Sequence, residues 1–172
     1  GMHYAGVTID SVLPFMVVLK AAGGTDYFTH PAFKRAMHWY ASWAPPADPR
    51  FGQSYMPPIG YSHPVNTSQS ARWALAAAMT RETDPEFSQL MMATWQKQGR
   101  QIHMQIGGRV ALGMIDTTGP AKIPDLPSAR WDGWGAILRS HADDARETFF
   151  ALPASGPSPR AAHSGAFHLY AK

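Results

Sequence analysis

Histidine is the side chain in this sequence best suited to acid–base chemistry. The 172 residues include eight His and no Cys, which excludes thiol nucleophiles, disulfides and cysteine-ligated zinc. No helical HxxxH, no HExxH and no Gly-rich phosphate loop occurs, so the common metal and nucleotide motifs are not indicated. One histidine, His163, lies in a Gly/Ser/Pro loop that leads directly into a predicted strand, where functional side chains are often found. His163 is therefore the first candidate for a catalytic residue.

Three further side chains could bind a polar ligand. In the loop 60–64, Tyr61 and His63 place a phenol and an imidazole close together, which suits sugar stacking or proton transfer. Ordinary loop packing explains the same two residues, and we favour it over a functional role. Arg139, like Arg109, has the forked geometry that binds a carboxylate, although a single Arg is usually solvated.

The composition is that of a folded chain with a weakly charged surface. Hydrophobic residues make up 45% of the sequence and charged residues 16%, which is enough apolar content for an ordinary core. The 15 Lys and Arg against 12 Asp and Glu give a net charge of +3 without a basic run, so nucleic acid is not indicated as a partner. No segment reaches the ~18 apolar residues of a membrane span. The charge is compatible with an acidic ligand.

Local signals predict helices over the first two-thirds of the chain, with the third and fourth forming a hairpin. The loop 45–64 between the second and third helices is rich in Pro, Gly and aromatic residues, and we expect it to be ordered. The first helix has a cap at Asp10 or Ser11, Pro14 in its first turn and a stop at Gly23. The second begins at His30 and Pro31 and stops at Pro45, and the third has a cap at Asn66, Thr67 or Ser68. The fourth begins at Asp84 and Pro85 and stops at Gly99, and a short apolar repeat through Ile102 and Ile106 indicates a fifth.

The last third of the chain has a different pattern, which predicts an α+β protein with a helical segment 1–119 and a strand-rich segment 120–172. Alternation and aromatic residues indicate strands at 134–139, 147–152 and 166–171, separated by turns. Three strands leave an open edge and an uncovered apolar face. We therefore expect the chain to be a fragment of a longer protein; the alternative is that its last strand pairs with a second copy to form a homo-oligomer, or that this strand packs back on the helices.

The sequence resembles the heparinase II/III-like polysaccharide lyases over nearly the whole chain. Segments 134–140, 147–150 and 163–171 are similar to the start of the β-sandwich of those enzymes. Segments 13–15, 22–28, 31–34 and 45–51 are similar to the late helices of the (α/α) toroid that precedes the sandwich. The resemblance implies an incomplete toroid followed by the first sandwich strands, in a periplasmic or secreted bacterial protein.

The same resemblance implies β-elimination at the uronic acid of an acidic polysaccharide such as heparin, heparan sulfate or alginate. The reaction needs a group that neutralises the carboxylate and a base for the weakly acidic C5 proton. The family uses a toroid Tyr that follows a Glu-Gly pair and a His of the sandwich. Residues 5–9 hold neither Glu nor Tyr at the first place, where Tyr4 is the only nearby phenol, and His163 matches the family His with a gap or its Asp position without one. The candidates for catalysis are thus Tyr4 and His163. Substrate binding is then expected from Tyr61, His63 and Arg139.

This chain departs from the family pattern in its ligand set. The family's His-x-His-x-Asp run, part of a zinc site in some members, is represented only by His163. No cofactor is therefore assigned to this segment, and a zinc or calcium ion is left open for a full-length parent. This segment alone is expected to be inactive, and the alternative to a lyase is a non-catalytic glycan-binding or scaffold fragment of the same architecture.

Overall fold

The computed structural model describes residues 2–57, 71–102, 113, 116–123, 126–142, 144–154 and 167–171, and for residues 2–4 the backbone alone. Four α-helices come first, followed by a four-stranded antiparallel sheet, so the described chain is a mixed α+β structure. The helices are α1 (Met2–Ala21), α2 (Pro31–Ser42), α3 (Arg72–Thr80) and α4 (Pro85–Lys97), with a 3-10 turn at Tyr27–Thr29. The strands are β1 (Ala129–Trp131), β2 (Gly135–Ser140), β3 (Thr148–Pro153) and β4 (His168–Tyr170), which lie in sequence order across the sheet.

Helix α1 begins earlier than predicted, and the expected cap at Asp10 or Ser11 is wrong. The helix starts at Met2 and contains Pro14 in its interior. Asp10 is buried and binds the guanidinium of Arg72 in α3, with 2.9 Å between Oδ2 and Nη2. Gly6 allows this approach, because a Cβ at that position would collide with the Arg72 side chain. A carboxylate that resembles a cap in the sequence is therefore an interior partner for a buried cation.

Helices α2 and α4 confirm the local signals. His30 caps α2 by accepting a hydrogen bond from the amide of Ala32 through Nδ1 at 3.1 Å. Asp84 caps α4 in the same way, accepting from the amide of Phe87 at 3.1 Å. Each cap is followed by a proline, whose missing N–H costs nothing in the first turn. The predicted hairpin is present, since α3 and α4 pack against each other.

The cap of α4 also makes stability depend on pH. Lys34 lies 2.7 Å from the carboxylate of Asp84 and, with the amide of Phe87, holds the pKa of that carboxyl below its ordinary value. A depressed pKa contributes stability above the unfolded pKa of about 3.9, and that contribution disappears as the pH falls through the folded pKa. Asp84→Asn keeps a good cap but cannot titrate.

We therefore expect Asp84→Asn to be less stable than the unmodified protein by about 0.5–1 kcal/mol at pH 7, and the difference to shrink as the pH falls below the unfolded pKa and through the lower folded pKa of Asp84. Urea unfolding at several pH values measures this difference. A gap that stays constant between pH 7 and pH 3 would show that the ion pair contributes nothing.

The sheet confirms the three predicted strands and adds one that the sequence did not indicate. Strand β1 pairs with β2 through the register Arg130↔Ala136, and the turn between them passes through Gly133, which has a φ of 75°. The three residues of β1 are too few to show an alternating pattern in the sequence. Strand β1 forms because its backbone can pair with the edge of β2.

One hydrophobic core joins the helices to the sheet. On the helical side it includes Tyr40 and Trp73, and on the inner face of the sheet it includes Ile137, Phe149 and Ala151. The sheet therefore packs against the helices through β2 and β3. Among the described residues, no helix has the combination of length and apolar character needed to cross a membrane.

Candidate functional site

An open groove of about 530 Å³ lies where the helical part meets the end of the sheet. One wall is the loop 46–50 after α2, and the other is formed by residues 167–171, which include β4. Glu147, just before β3, also lines the groove. Its volume lies within the range of ~300–1,000 Å³ that small-ligand sites occupy.

Arg50 gives the first wall an exposed positive charge. A tight turn positions it, in which Asp48 and Gln53 form an isolated antiparallel bridge. The Asp48 carboxylate accepts hydrogen bonds from Nε and Nη2 of Arg50, at 3.0 and 2.7 Å, and these bonds hold the pKa of Asp48 below its ordinary value. The Arg50 side chain remains 77% exposed. Since a guanidinium has five N–H donors and Asp48 occupies two, donors remain for a carboxylate ligand.

Tyr170 and Phe167 give the second wall its aromatic character. Tyr170 lies opposite Phe149 in the sheet, with the two ring centroids 6.1 Å apart. Burial raises the pKa of Tyr170, and the nearby negative charge of Asp48 raises it further. The phenol is therefore protonated at neutral pH and can act as a hydrogen-bond donor. Phe167 also lines the groove, but its side chain, 63% exposed, stacks on Phe150 and therefore belongs to the outer face of the sheet, opposite to Phe149 and Tyr170.

A buried cluster of three charged side chains, Lys97, Arg139 and Glu147, lies beside the groove. Glu147 binds Nζ of Lys97 at 2.8 Å and Nη1 of Arg139 at 3.3 Å, and all three side chains are at most 9% exposed. Arg139 also donates to the carbonyl oxygens of Ser42 and Ala44, at 2.9 and 2.7 Å. Burial lowers the pKa of Arg139 from its ordinary value. The cluster connects α4, the end of α2 and the sheet, and it therefore fixes the positions of the two groove walls relative to each other.

The structure describes two of the five residues that the sequence suggested for a site. Arg139 lies in the buried cluster beside the groove, where its guanidinium binds internal partners. Tyr4 lies in the first turn of α1, with only its backbone described. Tyr61, His63 and His163 lie outside the described residues. The roles proposed for these five residues therefore stay predictions.

Sequence reasoning missed the residues that line the groove. Arg50, Tyr170 and His168, which all line the groove, belong to no sequence motif. The groove combines three parts of the chain, and the two most distant, 46–50 and 167–171, lie about 120 residues apart in the sequence. The one local signal is the Asp-Pro-Arg sequence at 48–50, in which an acid and a base two residues apart share a turn.

Neither a metal site nor a known relative adds to this geometry. Within the described part of the chain, no three His, Asp or Glu side chains come together in a way that would hold a metal ion. Comparison with protein-family models, with curated proteins and with solved structures finds no match for this chain.

Proposed function

We propose that this chain is part of a polysaccharide lyase similar to the heparinase II/III-like enzymes, and that it binds an acidic glycan such as heparin, heparan sulfate or alginate in the groove. The observation that carries the proposal is the presence of a guanidinium and a protonated phenol in one open cavity, on Arg50 and Tyr170. A uronate sugar presents a carboxylate and a leaving oxygen, which match the guanidinium and the phenol respectively.

β-Elimination assigns a task to each group. A base removes the C5 proton, the C4–C5 double bond forms, and the C4–O4 bond breaks as the leaving oxygen gains a proton. Arg50 binds the carboxylate and stabilises the negative charge that develops on it. Tyr170 donates the proton to the leaving oxygen, since its raised pKa keeps it protonated. His163, four residues before Phe167 in the sequence, is the proposed base. Tyr4 is the proposed catalytic tyrosine of the helical part.

Two uncovered apolar faces support the toroid-and-sandwich architecture. On α1, Phe15 and Val18 are 66% and 65% exposed. On the outer face of the sheet, Leu138, Phe150 and Leu169 form one cross-strand row, in which both leucines are 58% exposed. Apolar faces of this kind are normally covered by another element. A further toroid helix would cover the first face and a second sheet the other.

An absorbance assay for the unsaturated uronate product tests the proposal. It is run on this chain and on the longest natural polypeptide that contains it, with heparin, heparan sulfate and alginate. We expect product formation by the longer polypeptide, and a loss of about tenfold or more in kcat/KM for Arg50→Ala, because a charge-assisted hydrogen bond is worth ~1.5–3 kcal/mol. Tyr170→Phe, His163→Ala and Tyr4→Phe are expected to lower kcat.

Arg146→Ala is the matched control. Arg146 is 71% exposed and binds Asp144, two residues before it, through the same atoms that join Arg50 to Asp48, but it does not line the groove. Its replacement should leave the rate unchanged. The lyase proposal fails if no acidic glycan yields product, and the groove is not the site if Arg50→Ala and Arg146→Ala behave alike.

The second candidate function is glycan binding without catalysis. This function is favoured because Arg139, the arginine that the sequence suggested for substrate binding, binds Glu147 and two backbone carbonyls of the protein itself. Binding of an acidic oligosaccharide that weakens with added salt and depends on Arg50, without product formation by the longer polypeptide, would establish this function in place of the first.

A further inference from the structure

A second cavity, of about 300 Å³, lies between helices α2 and α4. Its lining residues fall within 34–38 of α2 and within 84–90, which include the cap and the first turns of α4. We call it the interhelical cavity. Its volume is at the lower limit of the range that small-ligand sites occupy. It shares no lining residue with the groove, so the two are separate places on the protein.

An ion pair in the lining fixes the two helices against each other. Nζ of Lys34 lies 2.7 Å from Oδ2 of Asp84 and 6.0 Å from the ring centroid of Phe87. The rings of Phe33 and Phe87 also meet edge to face, with 6.3 Å between their centroids. The cavity is therefore formed by the fold before a ligand enters, which lowers the entropy cost of binding.

Two further lining residues carry opposite charges that do not meet. Arg35 of α2 and Glu86 of α4 both line the interhelical cavity, and both are exposed. Among the residues that the structure describes, no ion pair or hydrogen bond engages either of these two side chains, not even one between them. Lys34 and Asp84 neutralise each other, so the cavity offers a ligand one available cation and one available anion on facing helices.

The remaining lining residues are an imidazole and an apolar floor. His38 follows Arg35 by three residues, which places both side chains on one face of α2, where the imidazole adds a hydrogen-bonding group beside the guanidinium. Phe87 and Leu90 are only 7% and 2% exposed, so they form the bottom of the cavity with apolar atoms. The cavity thus combines a cationic wall, an anionic wall and an apolar floor.

We propose that the interhelical cavity binds a free α-amino acid with an apolar side chain. The carboxylate of the ligand pairs with Arg35, its ammonium group pairs with Glu86, and its side chain packs on Phe87 and Leu90. A zwitterion carries both charges in one small molecule, so it bridges two side chains that do not bind each other. A ligand with a single charge would leave one of the two protein charges without a partner, which makes the site selective for the zwitterion.

Isothermal titration calorimetry of the full chain tests the proposal, with L-leucine, L-methionine and L-phenylalanine as probes. We expect saturable binding of at least one of them. Two derivatives of that amino acid each remove one charge: the amide lacks the carboxylate, and the N-acetyl derivative lacks the ammonium group. Each derivative should bind about fivefold more weakly than the amino acid, the effect of losing one partly exposed charge pair.

Two variants at exposed positions, where substitution leaves the fold intact, assign the charges to side chains. Arg35→Gln should lower the affinity for the amino acid about fivefold and leave that for the amide unchanged. Glu86→Gln should weaken the amino acid equally and leave the N-acetyl derivative unchanged. The controls Arg146→Gln and Glu82→Gln remove exposed charges that do not line the cavity, and they should bind like the unmodified protein.

Three results would overturn the proposal. They are the failure of all three amino acids to bind, equal binding of the amino acid and its two derivatives, and unchanged affinity in both Arg35→Gln and Glu86→Gln. Arg50→Ala separates this site from the groove, because it should weaken the binding of acidic glycans but not that of the amino acid.

Discussion

Replacing Glu147 with alanine is expected to lower the free energy of unfolding by about 3–5 kcal/mol, the usual cost of removing one partner from a buried charge cluster. The variant leaves the cations of Lys97 and Arg139 buried without their carboxylate, with side chains that are only 9% and 1% exposed. Urea unfolding at neutral pH measures the loss. Glu82→Ala, which removes an exposed glutamate between α3 and α4, should change stability by no more than ~0.5 kcal/mol.

A second variant shows that the loss comes from the charges. Lys97→Met combined with Glu147→Leu removes a cation and the anion together, and it should be more stable than Glu147→Ala, because buried ion pairs are often replaced by apolar residues at little cost. If Glu147→Ala loses no more stability than Glu82→Ala, the cluster does not hold the groove walls together as we describe.

Replacing Arg72 with methionine is expected to destabilise the protein by about 3–5 kcal/mol for the same physical reason. Arg72 is fully buried, and its loss leaves the carboxylate of Asp10, 8% exposed, without its cation. The guanidinium also lies over the ring of Tyr40, 4.9 Å from its centroid, so packing is lost as well. The expected result is a lower midpoint in urea with an unchanged slope.

Asp10→Asn combined with Arg72→Met should recover part of this loss, since no unpaired charge then remains in the core. Arg146→Met serves as the control because Arg146 pairs with its acid at the surface, where its side chain is 71% exposed. Equal destabilisation by Arg72→Met and Arg146→Met would contradict the view that the ion pair between α1 and α3 contributes to folding.

The elements that the sequence predicted correctly are those with local signals. The caps His30 and Asp84 stand next to prolines, and hydrogen bonds to amides two or three residues later decide where α2 and α4 begin. The predicted start of α1 was wrong because the carboxylate of Asp10 binds Arg72, which lies 62 residues away in the sequence, instead of capping the helix. Strand β1 was missed because pairing with β2, and not its own three residues, makes it a strand.

The site was harder to predict than the fold for a related reason. The sequence suggested that Arg139 binds a carboxylate, and in the structure it does bind one, that of the chain's own Glu147. Residue type alone does not distinguish an internal carboxylate from that of a ligand. The groove residues Arg50 and Tyr170 become neighbours only when β4 completes the sheet beside the loop after α2.

The central claim is that the groove binds an acidic glycan, and nuclear magnetic resonance of the isotope-labelled chain tests it most directly. A heparin-derived tetrasaccharide is titrated into the protein while the backbone amides are followed. We predict saturable shifts that cluster at residues 47–50 and 167–171, which line the groove, and that weaken as salt is added. Shifts that are missing there, or that cluster on another surface of the protein, would contradict the claim.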